Sequence, residues 1–126
     1  MVKPNLGIQN GKLTPCPGRP NCLSSDASDE AHFIAPLVIS GHPERVWEAL
    51  RDLVAGRPRT TLVTVGDNYL HAIEKSRFFG FADDLEFHLR PEDGIIAVRS
   101  ASRTGYSDLG TNRRRIEEIR AQLLSR

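Results

Sequence analysis

A chain of 126 residues with 39% hydrophobic and 26% charged side chains is sized for one compact domain with its own core, which excludes extended disorder and any need for a structural staple. Its longest uninterrupted apolar stretches, such as 94–98, are a few residues, against the roughly 20 that a membrane-crossing helix requires. A net charge of +1 argues against a strong overall field for nucleic acid or an anionic membrane, although residues 99–126 carry seven arginines against three acids.

Residues 1–28 are rich in Pro, Gly and Asn and show neither helical nor strand periodicity. They are expected to lie as an extended arm on a single domain formed by residues 29–126. The start has no apolar stretch of the kind a secretory signal carries, so a cytoplasmic location is expected, with a periplasmic or lumenal one as the alternative if the chain is trimmed. Within the arm, Cys16-Pro17-Gly18-Arg19-Pro20-Asn21-Cys22 sets two thiols six positions apart across a turn-forming sequence. That spacing admits a local disulfide, a pair of reduced thiols, or a metal or redox site. The last is disfavoured, because the spacing is not a zinc pattern and His32 is the only histidine close by.

In the domain, residues 32–39 are apolar and branched enough for a first strand, with Pro36 better suited to an edge than to a central ladder. Residues 43–54 then open on Pro43 and Glu44 and space Val46, Trp47, Leu50, Leu53 and Val54 as one helical face, which makes Trp47 a core residue before a pocket-lining one. After the break at 56–59, strands are expected at 60–65, 69–76, 84–90 and 95–102, with turns at Gly66-Asp67-Asn68 and Pro91-Glu92-Asp93-Gly94. A last helix over 113–125 carries Ile116, Ile119, Leu123 and Leu124 on one face and arginines on the other. The order β-α-β-β-β-β-α predicts an α+β domain: a curved antiparallel sheet of four to five strands with both helices on one face. That order is shared, as an analogy, with the TATA-binding-protein-like fold, which does not by itself license DNA binding.

Polar residues concentrate in 76–87, with four Phe and three acids, and in 98–115, dense in Arg and Ser. Antiparallel pairing would set the start of the strand at 84 beside the end of the strand at 102, so acids would face arginines. Together, Pro15-Cys16-Pro17, Pro20-Asn21-Cys22-Leu23-Ser24-Ser25, Tyr69-Leu70-His71-Ala72, Ser76-Arg77, Phe79-Gly80-Phe81, Asp83-Asp84, Glu86-Phe87, the stretch 98–103, Gly105-Tyr106-Ser107-Asp108-Leu109-Gly110 and Asn112-Arg113-Arg114-Arg115 resemble the DUF1499 family over about residues 5–124. The resemblance implies no defined chemistry, since the family is one of unknown function, found in bacteria, cyanobacteria and plastids, with some members exported or lumenal. With no signal visible at the start of this sequence, the chain is expected to differ from the exported members.

Two accounts of the polar residues compete. In one, Arg77, Arg99 and Arg103 are bridged by Asp83, Asp84, Glu86 and Asp108 in a structural network, with Asp108 or Asn112 capping the last helix. In the other, Arg99, Arg103 and Arg113 with the hydroxyls of Ser100 and Ser102 form a pocket for an anionic group, and Phe78, Phe79 and Phe81 are its wall or simply pack. The candidate ligand set is therefore Arg77, Arg99, Ser100, Ser102, Arg103, Asp108, Asn112 and Arg113. The leading expectation is a non-enzymatic binding or assembly module for an anionic small molecule or an acidic partner. Its rival is a hydrolase or metal-dependent enzyme on Asp83, Asp84 and Glu86 with His71 or His88. Against that rival, neighbouring strand residues point to opposite faces, only Asp84 and Glu86 share one, and no nucleophile-elbow, zinc-helix, phosphate-loop or dinucleotide fingerprint occurs. No catalytic residue, resident metal or cofactor is expected. Nucleic-acid binding through Arg113, Arg114, Arg115 and Arg120 is disfavoured by the net charge.

Overall fold

The computed structural model describes residues 5–126, so the first four residues of the expected arm lie outside the described residues. The arm opens with a small hairpin, β1 (Ile8–Gln9) and β2 (Lys12–Leu13). Its turn is Asn10-Gly11, both with positive φ (55° and 76°), the backbone that lets a two-residue loop follow the natural twist of its strands. Next comes β3 (Cys22–Ser24), then a 3-10 turn at Glu30–His32, β4 (Leu37–Val38) and α1 (Pro43–Ala55). A meander of β5 (Thr60–Val65), β6 (Tyr69–Lys75), β7 (Ala82–Arg90) and β8 (Ile95–Ser102) follows, closed by α2 (Thr111–Leu124).

The sheet runs β3-β8-β7-β6-β5, entirely antiparallel, and β4 shares the outer edge of β8 with β3. The expected mixed α+β domain with two helices on one face of the sheet is what forms; element order alone carries the analogy with the TATA-binding-protein-like fold. The first strand is much shorter than 32–39. Its first residue, His32, closes the 3-10 turn, Phe33 and Ile34 turn back towards Ser24, and only Leu37 and Val38 join the β8 ladder, because Pro36 has no N–H to give it. The vacated length of the β8 edge is taken by β3, whose Cys22, Leu23 and Ser24 register with Ala101, Ser100 and Arg99.

One face of the sheet is the hydrophobic core. Leu70 and Ala72 of β6, Leu85 and Phe87 of β7, and Ile96 and Val98 of β8 meet Val46, Trp47, Leu50 and Val54 of α1 and Ile116, Ile119 and Leu123 of α2. Each fully buried large side chain here contributes roughly 1.5–3 kcal/mol. Trp47 belongs to this core and donates its indole N–H to the carbonyl of Gly66 at 3.2 Å. The opposite face is unlike the solvated back of a two-layer domain: it is polar, buried, and roofed by the arm.

Cys16 and Cys22 stand at disulfide distance, with Cα atoms 5.6 Å apart, and close the turn that leads into β3. By loop length alone such a link stabilises the folded chain by roughly 2 kcal/mol. Thermal unfolding of the Cys16→Ser/Cys22→Ser variant is expected to come about 8 °C below that of the oxidised protein, and coincident melting curves would show that the link contributes nothing.

Candidate functional site

Alternation along β7 sends its acids to opposite sides of the sheet. Asp83 registers with Ser102 and Glu74 and faces the helices; Asp84 registers with Ala101 and Ile73, Glu86 with Arg99 and His71, and both face the arm. Two separate buried networks result.

On the helix side the hub is Arg115, in the second turn of α2 and almost fully buried. Its guanidinium donates to Glu74 Oε2 (2.9 Å), Asp83 Oδ2 (2.6 Å), Ser100 Oγ (3.0 Å) and Asn112 Oδ1 (2.8 Å). Glu74 also takes the Nε–H of Arg57 at 2.8 Å. Burial raises Glu74, but the Arg57 and Arg115 contacts outweigh it and hold the carboxyl below its ordinary range; burial prevails at Asp83 and pushes it up despite Arg115. Asn112 is fully buried and its amide N–H groups reach Asp108, Ser102 and the carbonyl of Asn21. Asp108 in turn accepts from the backbone N–H groups of Gly110 and Asn112, fixing the start of α2.

On the arm side Glu86, wholly shielded from solvent, accepts from Gly7 N–H (2.7 Å), Tyr69 O–H (2.5 Å) and Arg99 Nη1 (3.3 Å). Burial, reinforced by that carboxylate, pushes the Tyr69 phenol far above its ordinary value. Asp84 takes a two-pronged contact from Arg103 (2.8 and 2.9 Å) and a hydrogen bond with His71 Nε2 (2.7 Å). Burial raises Asp84, and the His71 and Arg103 contacts overcome it, so it stays below the usual carboxylate range. Farther along the same face, Arg90 grips Asp26 through two parallel bonds (2.8 and 2.6 Å), and Asp26 also accepts from Leu13 N–H. The arm is thus tied to the sheet at Gly7, at Asp26, which also holds Leu13, and through Pro15, whose carbonyl accepts from Arg99.

Between arm and sheet lies a cleft of about 320 Å³, lined by Thr14, Cys16, Asp84, Arg99, Ser102 and Arg103 among others. Arg99 is only 5% exposed. Its Nε–H has no acceptor among the described residues, which is uncommon for a buried donor. Among the described residues no three His, Cys, Asp or Glu side chains converge as a metal site.

The structure gathers part of the expected ligand set and disperses the rest. Arg99 and Arg103 border this cleft; Ser102 also lines it, but its hydroxyl accepts from Asn112 on the helix side. Ser100, Asn112 and Asp108 are built into the helix-side network, and Arg113 sits on the surface of α2, donating to the carbonyl of Phe33. Arg77 reaches no acid among the described residues; its guanidinium lies 5.4 Å over the ring of Phe78. The acidic trio does not assemble either, since Asp83 is on the other side of the sheet from Asp84 and Glu86. Sequence reasoning missed Glu74 and Arg115 as partners of Asp83, and Tyr69 and the arm as partners of Glu86. Register counted back from the turns of the meander exposes the strand neighbours; nothing local announces the arm.

The family model described as "Protein of unknown function (DUF1499)" matches residues 12–123. No curated protein matches the chain.

Proposed function

This chain belongs to the DUF1499 family, whose description carries no activity, and we propose that it is a binding module whose cleft between arm and sheet takes a small anionic group. The unanswered Nε–H of buried Arg99, next to Arg103, is the observation that carries this reading. A phosphate or carboxylate entering the cleft would first meet Arg103, whose side chain is 30% exposed, and an oxygen that reached the shielded Arg99 Nε–H as the cleft walls gave way would accept that donor. Asp84 and Glu86 neutralise much of the local charge, which favours a ligand held by fitted hydrogen bonds over one drawn in by field strength. The linked Cys16 and Cys22 favour an oxidising compartment, periplasmic or lumenal, over a cytoplasmic one.

The rival reading, hydrolysis, draws on the His71–Asp84 contact, the pairing that orients a general base. It has less support, because Arg103 occupies the same carboxylate and Glu86 is spent on Arg99, Tyr69 and Gly7.

Calorimetric titration with inorganic phosphate, sugar phosphates and dicarboxylates tests the proposal. At least one is expected to bind, and Arg103→Ala should weaken it by about 10- to 100-fold, the loss of a charge-assisted contact. Arg113→Ala, on the helix side, should leave affinity unchanged. Absence of binding across the set, or equal binding by the Arg103 variant, would overturn the assignment.

A further inference from the structure

The turn between β6 and β7 turns its apolar side chains outward. Phe78, Phe79 and Phe81 are 83%, 76% and 56% exposed. Together they put on the order of 400 Å² of ring surface into water, a patch of the size that marks an interaction site on a monomer. The rings are held there by a built turn. Ser76 N–H donates to Phe81 O, Phe81 N–H to Ser76 Oγ and Gly80 N–H to Ser76 O, with Gly80 in the left-handed region at φ 67°. Phe79 and Phe81 stack at 5.5 Å between centroids. A groove at this turn is lined by Arg59, Thr61, Lys75 and Arg77 together with Phe78 and Phe79. None of the three cations meets a carboxylate among the described residues: Arg59 donates to the carbonyl of Lys75, and Arg77 lies over Phe78. The turn 103–110 leaves the sheet at the same end and adds exposed Tyr106 and Leu109.

We propose that this end of the sheet docks on an anionic lipid surface, with Phe78, Phe79 and Phe81 entering the interfacial layer and Arg59, Lys75 and Arg77 meeting lipid phosphates. The mixture of rings and cations argues for lipid over a protein partner. Phe78 and Phe79 line the same groove as the three cations without a carboxylate, and Arg77 lies against Phe78, so apolar rings and unneutralised positive charge are presented together, as acyl chains and headgroup phosphates are at a bilayer surface. The whole chain is almost neutral, so the attraction is local to this turn and short in range. The surface is separate from the cleft, and neither proposal depends on the other.

Flotation of the intact protein with phosphatidylcholine vesicles, with and without phosphatidylglycerol, provides the test. Binding is expected to the anionic vesicles only and to fall as salt is raised. The variant Phe78→Ser/Phe79→Ser/Phe81→Ser should lose at least about tenfold in partitioning, and Lys75→Glu/Arg77→Glu should lose the preference for anionic lipid. All five positions are exposed, so circular dichroism and melting temperature should match the parent. Parent protein that stays unbound, or a triple variant that partitions within about twofold of it, would overturn the proposal. So would self-association of the parent that the triple variant abolishes without any vesicle binding, which would assign the turn to a second copy of the chain.

Discussion

Replacing Arg115 with alanine is expected to lower the unfolding free energy by about 3–5 kcal/mol, read as a shift in urea midpoint at unchanged slope. The loss comes less from the contacts removed than from what stays behind. Asp83 would be a buried carboxylate with no cation, Glu74 would keep only Arg57, and Ser100 and Asn112 would each lose a partner. Arg115→Lys should recover little, because one ammonium cannot reach four acceptors spread around a planar fork. The deficit should depend on pH, and its sign follows from the carboxylates. Glu74 is depressed in the folded protein, so its contribution is fully present above the unfolded value of about 4.3 and is lost as pH falls through the lower folded one. Asp83 is raised by burial, so in the parent protein its ionisation opposes folding and acid relieves that cost. Without Arg115 both charges become harder to keep, so parent and variant should converge as the pH drops below about 4. A deficit under about 1 kcal/mol at neutral pH would show that this network does not hold α2 to the sheet.

Glu86→Ala should cost a similar 3–5 kcal/mol, with a different signature. Buried Arg99 would lose its counter-charge, and the Tyr69 hydroxyl and the Gly7 N–H would lose their acceptor. Because Gly7 belongs to the arm, the change should register as local opening: amide exchange at Gly7, and at Leu13 on the same hairpin, should accelerate far more than exchange at core amides of β7 and β8. Glu86→Gln keeps the volume and one acceptor oxygen and should fall between parent and alanine variant. Unchanged exchange in the arm would mean that Leu13–Asp26 and Arg99–Pro15 hold it unaided.

The core and its elements follow from local patterns. The residues spaced along 43–54 form α1 and bury the stripe their spacing predicts, and the residues paired across Pro91-Glu92-Asp93-Gly94 form β7 and β8; α2 buries Ile116, Ile119 and Leu123 of its expected face but leaves Leu124 exposed and turns Arg115 inward. The Asn10-Gly11 hairpin is equally legible, since Asn-Gly is a two-residue turn signal and apolar Ile8 and Leu13 flank it at paired positions. Opposite faces for Asp83 and Asp84 were readable from strand alternation alone, and with them the separation of the acidic trio.

What the sequence by itself determined is the α+β architecture, the helix-facing core and the face on which each β7 acid lies, because all three are set by spacings within a few residues. Only the tertiary structure decided that the arm roofs the polar face, that β3 takes the β8 edge left free by Pro36, and that Arg99 and Arg103 border a cleft while Ser100 and Arg113 do not. Those outcomes rest on contacts such as Gly7 to Glu86, 79 residues apart, and Asn21 to Asn112, 91 apart, whose partners are chosen by packing geometry and by the cost of leaving a buried polar group unpaired, and no local pattern encodes either.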